Sequence, residues 1–214
     1  FIDKYSKDTV LDLACGKGGD FSKYIDSGIK YIEAYDICED SLKEANSRKN
    51  HYLKKVETKN TSFKIEKKDL RVDLINSKYS FDLVVCNFAF HYFYKSLDVF
   101  ITNVLSNTKK GSYIILSFFD KEKLREETTD TYSIKKINEE QVTVHIKDSV
   151  LHSSAPEYLV DIPYVISKFA EYNITLVENV NFSDMYKPWA THKNILSQDE
   201  QDLSFMNNVC VFKL

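Results

Sequence analysis

The chain has 214 residues and a formal net charge of −3, with a pI near 6.0. That length lets one domain bury a full core, and nothing marks a second module. The slightly acidic balance excludes a broad nucleic-acid surface held by bulk charge and leaves open a short, locally gripped nucleic-acid end. Cys15, Cys38, Cys86 and Cys210 form no C-x-x-C pair, which points to reduced thiols in an intracellular, reducing compartment and against a zinc site. No apolar run reaches membrane-spanning length, no signal peptide is visible, and no membrane partner is expected. The first residue is Phe rather than Met, so an excised or trimmed domain is expected.

In TVLDLACGKGGD, residues 9–20, Val10, Leu11 and Leu13 read as a buried parallel strand running straight into a glycine-rich turn. Gly16, Gly18 and Gly19 let the backbone approach a ligand closely. The stretch lacks both G-x-x-x-x-G-K-[ST] and the full G-x-G-x-x-G spacing, so neither triphosphate nor pyrophosphate binding is favoured. Asp20–Ser27 reads as a short helix ended by Gly28. A second strand, Tyr31–Ala34, leads to Asp36, where an α/β sheet places an acid for ribose hydroxyls. Ser41–Val56 reads as a helix capped by Asp40 or Ser41, and a third strand, Ser62–Lys68, leads to Asp69. Carboxylates at 12, 36 and 69 suit a neutral-to-cationic adenosine cofactor better than a pyrophosphate, which they would repel. S-adenosylmethionine, with its sulfonium and amino group, is such a ligand.

Further along, Phe81–Cys86 reads as a fourth strand, Leu97–Ser106 as a helix, and Lys110-Gly111 as the turn into a fifth strand, Tyr113–Ser117. The stretch from Thr128 to Gln141 is less regular and reads as an insertion beside the sheet, part of a cap-side insertion around 120–160. Strands near 142–147 and 157–161, a helix at Tyr164–Tyr172, and strands at 174–180 and 208–213 complete one domain spanning 1–214. The alternation is that of a doubly wound α/β sheet. No internal repeat or low-complexity segment interrupts it.

DLACGKGGD, NFAFHYFY at 87–94, PEYLVDI at 156–162 and the terminal NVCVFKL together resemble the successive signatures of mRNA cap guanine-N7 methyltransferases. The matches cover nearly the whole chain in order, and the lysine inside CGKGGD with the FHY tripeptide is much narrower than a glycine loop alone. The resemblance implies a class I methyltransferase (Rossmann-like) sheet closed by an antiparallel C-terminal hairpin, with S-adenosylmethionine as cofactor and S-adenosylhomocysteine as product. It implies 5′ capped mRNA, a GpppN end, as substrate. The abundance of Lys, Asn, Tyr and Ile suits an AT-rich genome, and similar domains terminate the capping enzymes of large DNA viruses. Other capping domains of the same polypeptide, or an activating subunit, are the partners this implies. The location would be the nucleus, or host cytoplasm or virion for a cytoplasmic virus.

Guanine N7 carries a lone pair and no proton, so methyl transfer needs no general base, and no catalytic acid/base residue or metal is expected. For the cofactor, the resemblance assigns Asp12 and Asp20 to the methionine end, Ala14 and Gly16 to the close-approach loop, Asp36 to the ribose, Asp69 to the adenine region, and Asn87, Phe88 and Ala89 to the pocket. For the cap it implies Lys17 and Arg48 on phosphate, Phe88 and Tyr92 around the guanine, and His91 near the cap. Glu157 is expected on the guanine Watson–Crick edge, where N1–H and the exocyclic amine offer two donors to one carboxylate. Ordinary readings stand beside these: Asp12 ordering the loop, Asp20 as a helix cap, Asp69 ending a strand, Arg48 on a solvated basic face, Glu157 as a surface acid and Phe90 as core. Two positions depart from the family pattern. Ala14 replaces a usual Gly, and Asn207 stands where related enzymes often carry Tyr as a further guanine contact, leaving Asn207 itself, Tyr186 or Trp189 for that role. The helix that precedes the first strand in the family, with an Asn-Asn pair and a Lys, has no counterpart in the sequence.

Three function classes follow: a cap guanine-N7 methyltransferase, a class I methyltransferase for another small nucleophile, and a catalytically silent interaction domain of the same fold.

Overall fold

The computed structural model describes residues 1–55, 60–147, 156–190 and 195–214. Its framework is a seven-stranded sheet in the order β10-β11-β5-β4-β1-β2-β3. The strands are β1 (Thr9–Leu13), β2 (Tyr31–Asp36), β3 (Ser62–Lys67), β4 (Phe81–Asn87), β5 (Thr108–Phe119), β10 (Thr175–Asn181) and β11 (Asn207–Lys213). The first five run parallel and β11 is antiparallel to both β5 and β10.

Alternation along each strand feeds two cores. On β4, Val84 and Cys86 face a core that includes Phe100 and Val104 of α4 (Leu97–Asn107) and Val165 and Phe169 of α5 (Ile162–Ala170). Leu83 and Val85 face the opposite core, with Phe21 and Tyr24 of α2 (Phe21–Asp26) and Ala45 of α3 (Glu39–Lys55). Tyr5 of the short α1 (Ile2–Tyr5) joins that second core.

Several expectations are corrected. The segment read as less regular, Thr128 to Gln141, is ordered: its β7 (Tyr132–Lys136), with β6 (Glu127–Thr128) and the two expected strands, β8 (Gln141–Ile146) and β9 (Pro156–Tyr158), forms a second, antiparallel sheet. Its alternating residues Tyr132, Ile134, Val142 and Val144 pack on Leu159 and Met206. Lys110-Gly111 lies inside β5 rather than before it. The strand already pairs at Phe81↔Thr108 and absorbs a register shift, with Gly111 at φ +88°. α3 begins at Glu39, ahead of both expected caps, and Val56 lies outside the described residues. After β4 the aromatic run does not continue as a strand but turns into a 3₁₀ helix, Phe90–Ser96, and Phe90 is fully buried as expected. The late antiparallel pair is present, but α6 (Phe182–Trp189) and α7 (Gln198–Ser204) connect its strands in place of a simple loop.

Candidate active site

Strand order reverses between β4 and β1, and the predicted site residues gather at the carboxyl ends of these strands and their neighbours, where open α/β sheets bind ligands. After β1 the chain turns through Ala14 (φ +63°), Gly16 (+54°) and Gly18 (+72°). Gly16 N–H donates to Asp36 Oδ2 at 2.8 Å, and Cys38 N–H donates to Asp36 Oδ1 at 2.8 Å. The β2 carboxylate thus fixes the β1 loop while each oxygen keeps a further lone pair for a ligand hydroxyl. A Cβ on Gly16 would meet nothing within 4 Å, so the loop borders open space.

Asp12 lies beneath this loop, buried and accepting from Tyr24 Oη at 3.1 Å. Burial raises its carboxyl well above the ordinary carboxylate range, and the charges of Asp20 and then Asp36 push the same way. Three carboxylates therefore sense one another at one end of the sheet, an arrangement that a cationic ligand would relieve. Asp20 Oδ2 accepts from Asn87 Nδ2 at 2.8 Å, and Asn87 Oδ1 accepts from Ser117 Oγ at 3.1 Å. Ser117, on β5, was not foreseen. It enters through the Asn87↔Ser117 register, and its carbonyl and hydroxyl oxygens both accept from Phe88 N–H.

Asp69 is already engaged by a neighbour. β3 ends before it, and its carboxylate accepts Arg71 Nε at 2.8 Å and Nη2 at 2.7 Å, which holds the carboxyl below its usual range. The expected acceptor for an adenine amino group is thus already paired with a guanidinium.

Two cavities open at this end of the sheet. One includes Asp20, Asn87 and Ser117 in its lining; the other includes His91, Glu157 and Asn207. Phe88 and Phe182 line both, with their rings edge-on at a 5.8 Å centroid separation. Phe88 is itself an exposed aromatic at φ +54°, a conformation bulky residues rarely adopt. Ala89, beside it, is buried at the start of the 3₁₀ helix.

In the second cavity His91 Nε2 lies 3.6 Å from Glu157 Oε2. Burial pulls the imidazole down to about 3 and pushes the Glu157 carboxyl up to about 7. Neither ring nitrogen of His91 has a hydrogen-bond partner among the described residues, and neither does the buried Oδ1 of Asn207. Glu157 is therefore not the exposed acid of its ordinary reading. Tyr92 stands next to His91, 4.0 Å between ring centroids, with its phenol pushed up to about 12 by burial and then by the charges of Glu157 and Asp36. It is not among the residues that line the cavity with Phe88. Tyr186 and Trp189 are not either; on α6 they pack with each other, and Tyr186 also packs with Phe205.

The two expected phosphate ligands are brought together by a residue not foreseen. Glu44 pairs with Lys17 at 3.1 Å and with Arg48 at 2.6 Å. Lys17, ahead of Arg48, holds that carboxyl below the usual range. The i,i+4 spacing of Glu44 and Arg48 was visible in the sequence; the reach of Lys17 across to α3 was not. Among the described residues, no group of three His, Cys, Asp or Glu side chains is arranged to hold a metal ion.

The family model described as mRNA (guanine-N(7))-methyltransferase domain matches residues 2–206. The mRNA cap guanine-N(7) methyltransferase of Caenorhabditis elegans is 27% identical over 210 residues, covering 93% of this chain and 52% of that protein. A probable mRNA-capping enzyme of Acanthamoeba polyphaga mimivirus is 27% identical over 177 residues, covering 64% of this chain and 15% of that one. The chain spans about half the length of the first curated relatives it matches. Among solved structures, a putative S-adenosylmethionine-dependent methyltransferase from Listeria monocytogenes superposes with a TM-score of 0.68 at 18% identity, covering 98% of this chain and 90% of that one. The glycopeptide N-methyltransferase MtfA complexed with sinefungin gives a TM-score of 0.65 at 13% identity, covering 100% and 83%. These likenesses establish the class I methyltransferase fold.

Proposed function

Because the chain belongs to the mRNA (guanine-N7)-methyltransferase domain family, we propose that it transfers a methyl group from S-adenosylmethionine to N7 of the guanine in a GpppN RNA cap. The observation that supports this reading is the adjacency of two unlike cavities across the shared Phe88 and Phe182, one with Asp20, Asn87 and Ser117 in its lining and one with Glu157 and His91, while Asp36 and Gly16 lie outside both linings. Transfer between two bound molecules needs such adjacency, since alignment supplies most of the acceleration when no proton must move.

The acidic cluster and the open Gly16 turn fit the methyl donor, which when bound supplies an electrophilic methyl group on a sulfonium. Asp36 accepts from the ribose hydroxyls, Asp20 and Asn87 hold the methionine end, and Asp12 supports the loop from beneath. Asp69, already paired with Arg71, has only its remaining lone pairs for the adenine side. On the cap side, Glu157 accepts from N1–H and the exocyclic amine, Phe88 and Tyr92 hold the ring, and His91 orders the wall of the pocket. Lys17 and Arg48 meet the triphosphate. The reaction so drawn uses no acid/base residue and no metal.

The substrate is the 5′ capped end of mRNA, and S-adenosylhomocysteine is the product. A match covering only a small part of a mimiviral capping enzyme supports a place beside other capping activities on a longer polypeptide, in the nucleus or in a virus-infected cytoplasm. No helix among the described residues is long and apolar enough to cross a membrane.

Labelled S-adenosylmethionine is incubated with GpppA- or GpppG-ended RNA, free GTP and a small-molecule panel. Label at N7 of the capped ends alone is the expected result. Transfer to a panel compound without cap dependence would favour a small-nucleophile enzyme, and absence of cofactor binding would favour a silent domain.

A further inference from the structure

The guanine edge presents three donors, N1–H and the two hydrogens of the 2-amino group, whereas one carboxylate takes two of them in plane. Glu157, read as above, leaves one amino hydrogen to be satisfied inside a buried site.

Asn207 supplies a matching acceptor. It is buried, it lines the cavity with Glu157 and His91, and its Oδ1 has no hydrogen-bond partner among the described residues. The orientation of its amide is set by its other end: Nδ2 donates to the carbonyls of Leu203 and Ser204 at the end of α7, each at 3.2 Å. Turning the amide over would set Oδ1 against those two carbonyl oxygens, so the nitrogen stays on the helix and the acceptor faces away from it. The backbone is held as well. Asn181 Nδ2 donates to Asn207 O at 2.8 Å and to Asn208 Oδ1 at 2.7 Å, while Asn208 Nδ2 donates to Asp120 Oδ2 at 3.2 Å. A fixed, buried, unpaired acceptor is costly in the empty protein and is repaid only by a donor.

We propose that Asn207 accepts the second hydrogen of the guanine 2-amino group, so that the enzyme methylates unmodified guanine caps and refuses caps already alkylated at N2. The proposal rests on the cap-methyltransferase reading above. With one N2 hydrogen replaced by methyl, either Glu157 or Asn207 loses its donor and meets a methyl group instead. The chemistry also fixes an order: any N2-alkylating reaction on the same cap must follow this one.

The test compares initial rates on GpppA-ended RNA and on the same RNA whose cap guanine carries one N2-methyl group. For the unaltered protein, kcat/KM should fall by about tenfold or more on the N2-methyl cap, the scale of a buried polar group left unpaired. Asn207→Ala removes the acceptor and makes room, so the ratio of the two substrates should move toward one. Asn207→Ser, one atom shorter so that no acceptor occupies the Oδ1 position, should do the same. A variant that lowers both rates together while leaving the ratio where it was reports a merely structural role for Asn207 and counts against the inference. An active enzyme that treats both caps alike, or variants that keep the full discrimination, would overturn the inference while leaving the cap reading intact. No methylation of GpppA by the unaltered protein would overturn both.

Discussion

His91 Nε2 stands 3.6 Å from Glu157 Oε2 in a buried wall, yet the two do not form an ion pair. Burial moves each group toward its neutral form, the imidazole down to about 3 and the carboxyl up to about 7. A guanine edge needs the Glu157 carboxylate, so binding the cap must remove the proton that the empty pocket favours.

The consequence is a proton-linked KM. Cap affinity should rise as pH rises through about 7, with KM near pH 6 roughly tenfold above its value near pH 8. His91, neutral over that range, contributes no second inflection. The folding equilibrium runs the other way, because the folded pKa of Glu157 lies above the ordinary glutamate value of 4.5. Its contribution to stability is complete below that value and is lost as pH rises through about 7. Glu157→Gln should flatten both trends, as read by KM against pH and by thermal melting of the empty protein. A pH-independent KM in the unaltered protein would remove Glu157 from the guanine edge.

The same carboxylate should decide base identity. Glu157→Gln should lose most of the discrimination between GpppA and IpppA, since inosine lacks the exocyclic amine, and the remainder is that of Asn207 on the second amino hydrogen. Tyr92→Ala should slow both alike, because stacking scarcely distinguishes the purines. Initial rates on the two caps are the measurement, and an undiminished preference and rate in Glu157→Gln would remove Glu157 from base reading.

Lys17 and Arg48 converge on Glu44, so the cap phosphates would compete with a carboxylate already in place. Lys17→Ala should raise KM for capped RNA, and added salt should reproduce that loss in the unaltered protein, because both contacts are largely ionic. Glu44→Gln should lower KM at low salt by withdrawing the competing charge. Lost cofactor affinity with an unchanged KM for RNA in Lys17→Ala would assign the lysine to the methyl-donor pocket instead.

Asp36→Ala should weaken S-adenosylmethionine binding by about 2 kcal/mol, the range for hydrogen bonds to a charged group. The effect has two sources, the lost ribose acceptor and the released Gly16 N–H. Calorimetry reads it directly, and unchanged affinity would move the ribose elsewhere.

The sheet was legible because its strands are apolar runs that end in acids and turns, and the two-sided burial of a parallel sheet writes itself into unbroken hydrophobic stretches. The connection between β10 and β11 was not. α6 is eight residues long with Pro188 inside it, and its helical spacing of Phe182, Met185, Tyr186 and Trp189 went unread for that reason. α7 did leave a signal, the S-x-x-E of Ser197 and Glu200, which form a capping box. Two strands of the second sheet, β8 and β9, were legible, whereas β6 was hidden by its two-residue length and β7 by the lysines that end YSIKK. In the site, local motifs carried Asp36, Asn87 and Glu157 into one neighbourhood. Ser117, Glu44 and Phe182 arrive through strand register and packing between distant segments, which no local pattern encodes. The pairing of Asp69 with Arg71, two residues on, is local and was open to sequence reading but not drawn from it.

Ala14 and Gly18 make the loop itself testable. Ala14 holds φ +63°, where an L-residue pays for its Cβ and glycine does not. Ala14→Gly should therefore stabilise the protein by about 1 kcal/mol in denaturant unfolding, less the extra entropy glycine gains in the unfolded chain. Gly18 is the opposite case: at φ +72°, an added Cβ would lie 2.7 Å from two carbons of the Phe21 ring. Phe21 is fully buried in the core under α2, so the ring has little room to yield. Gly18→Ala should destabilise by about 2 kcal/mol or more, through strain and overpacking together. Equal stability of the two variants would mean that the loop does not hold these left-handed conformations, and the close approach to the cofactor built on them would have to be redrawn.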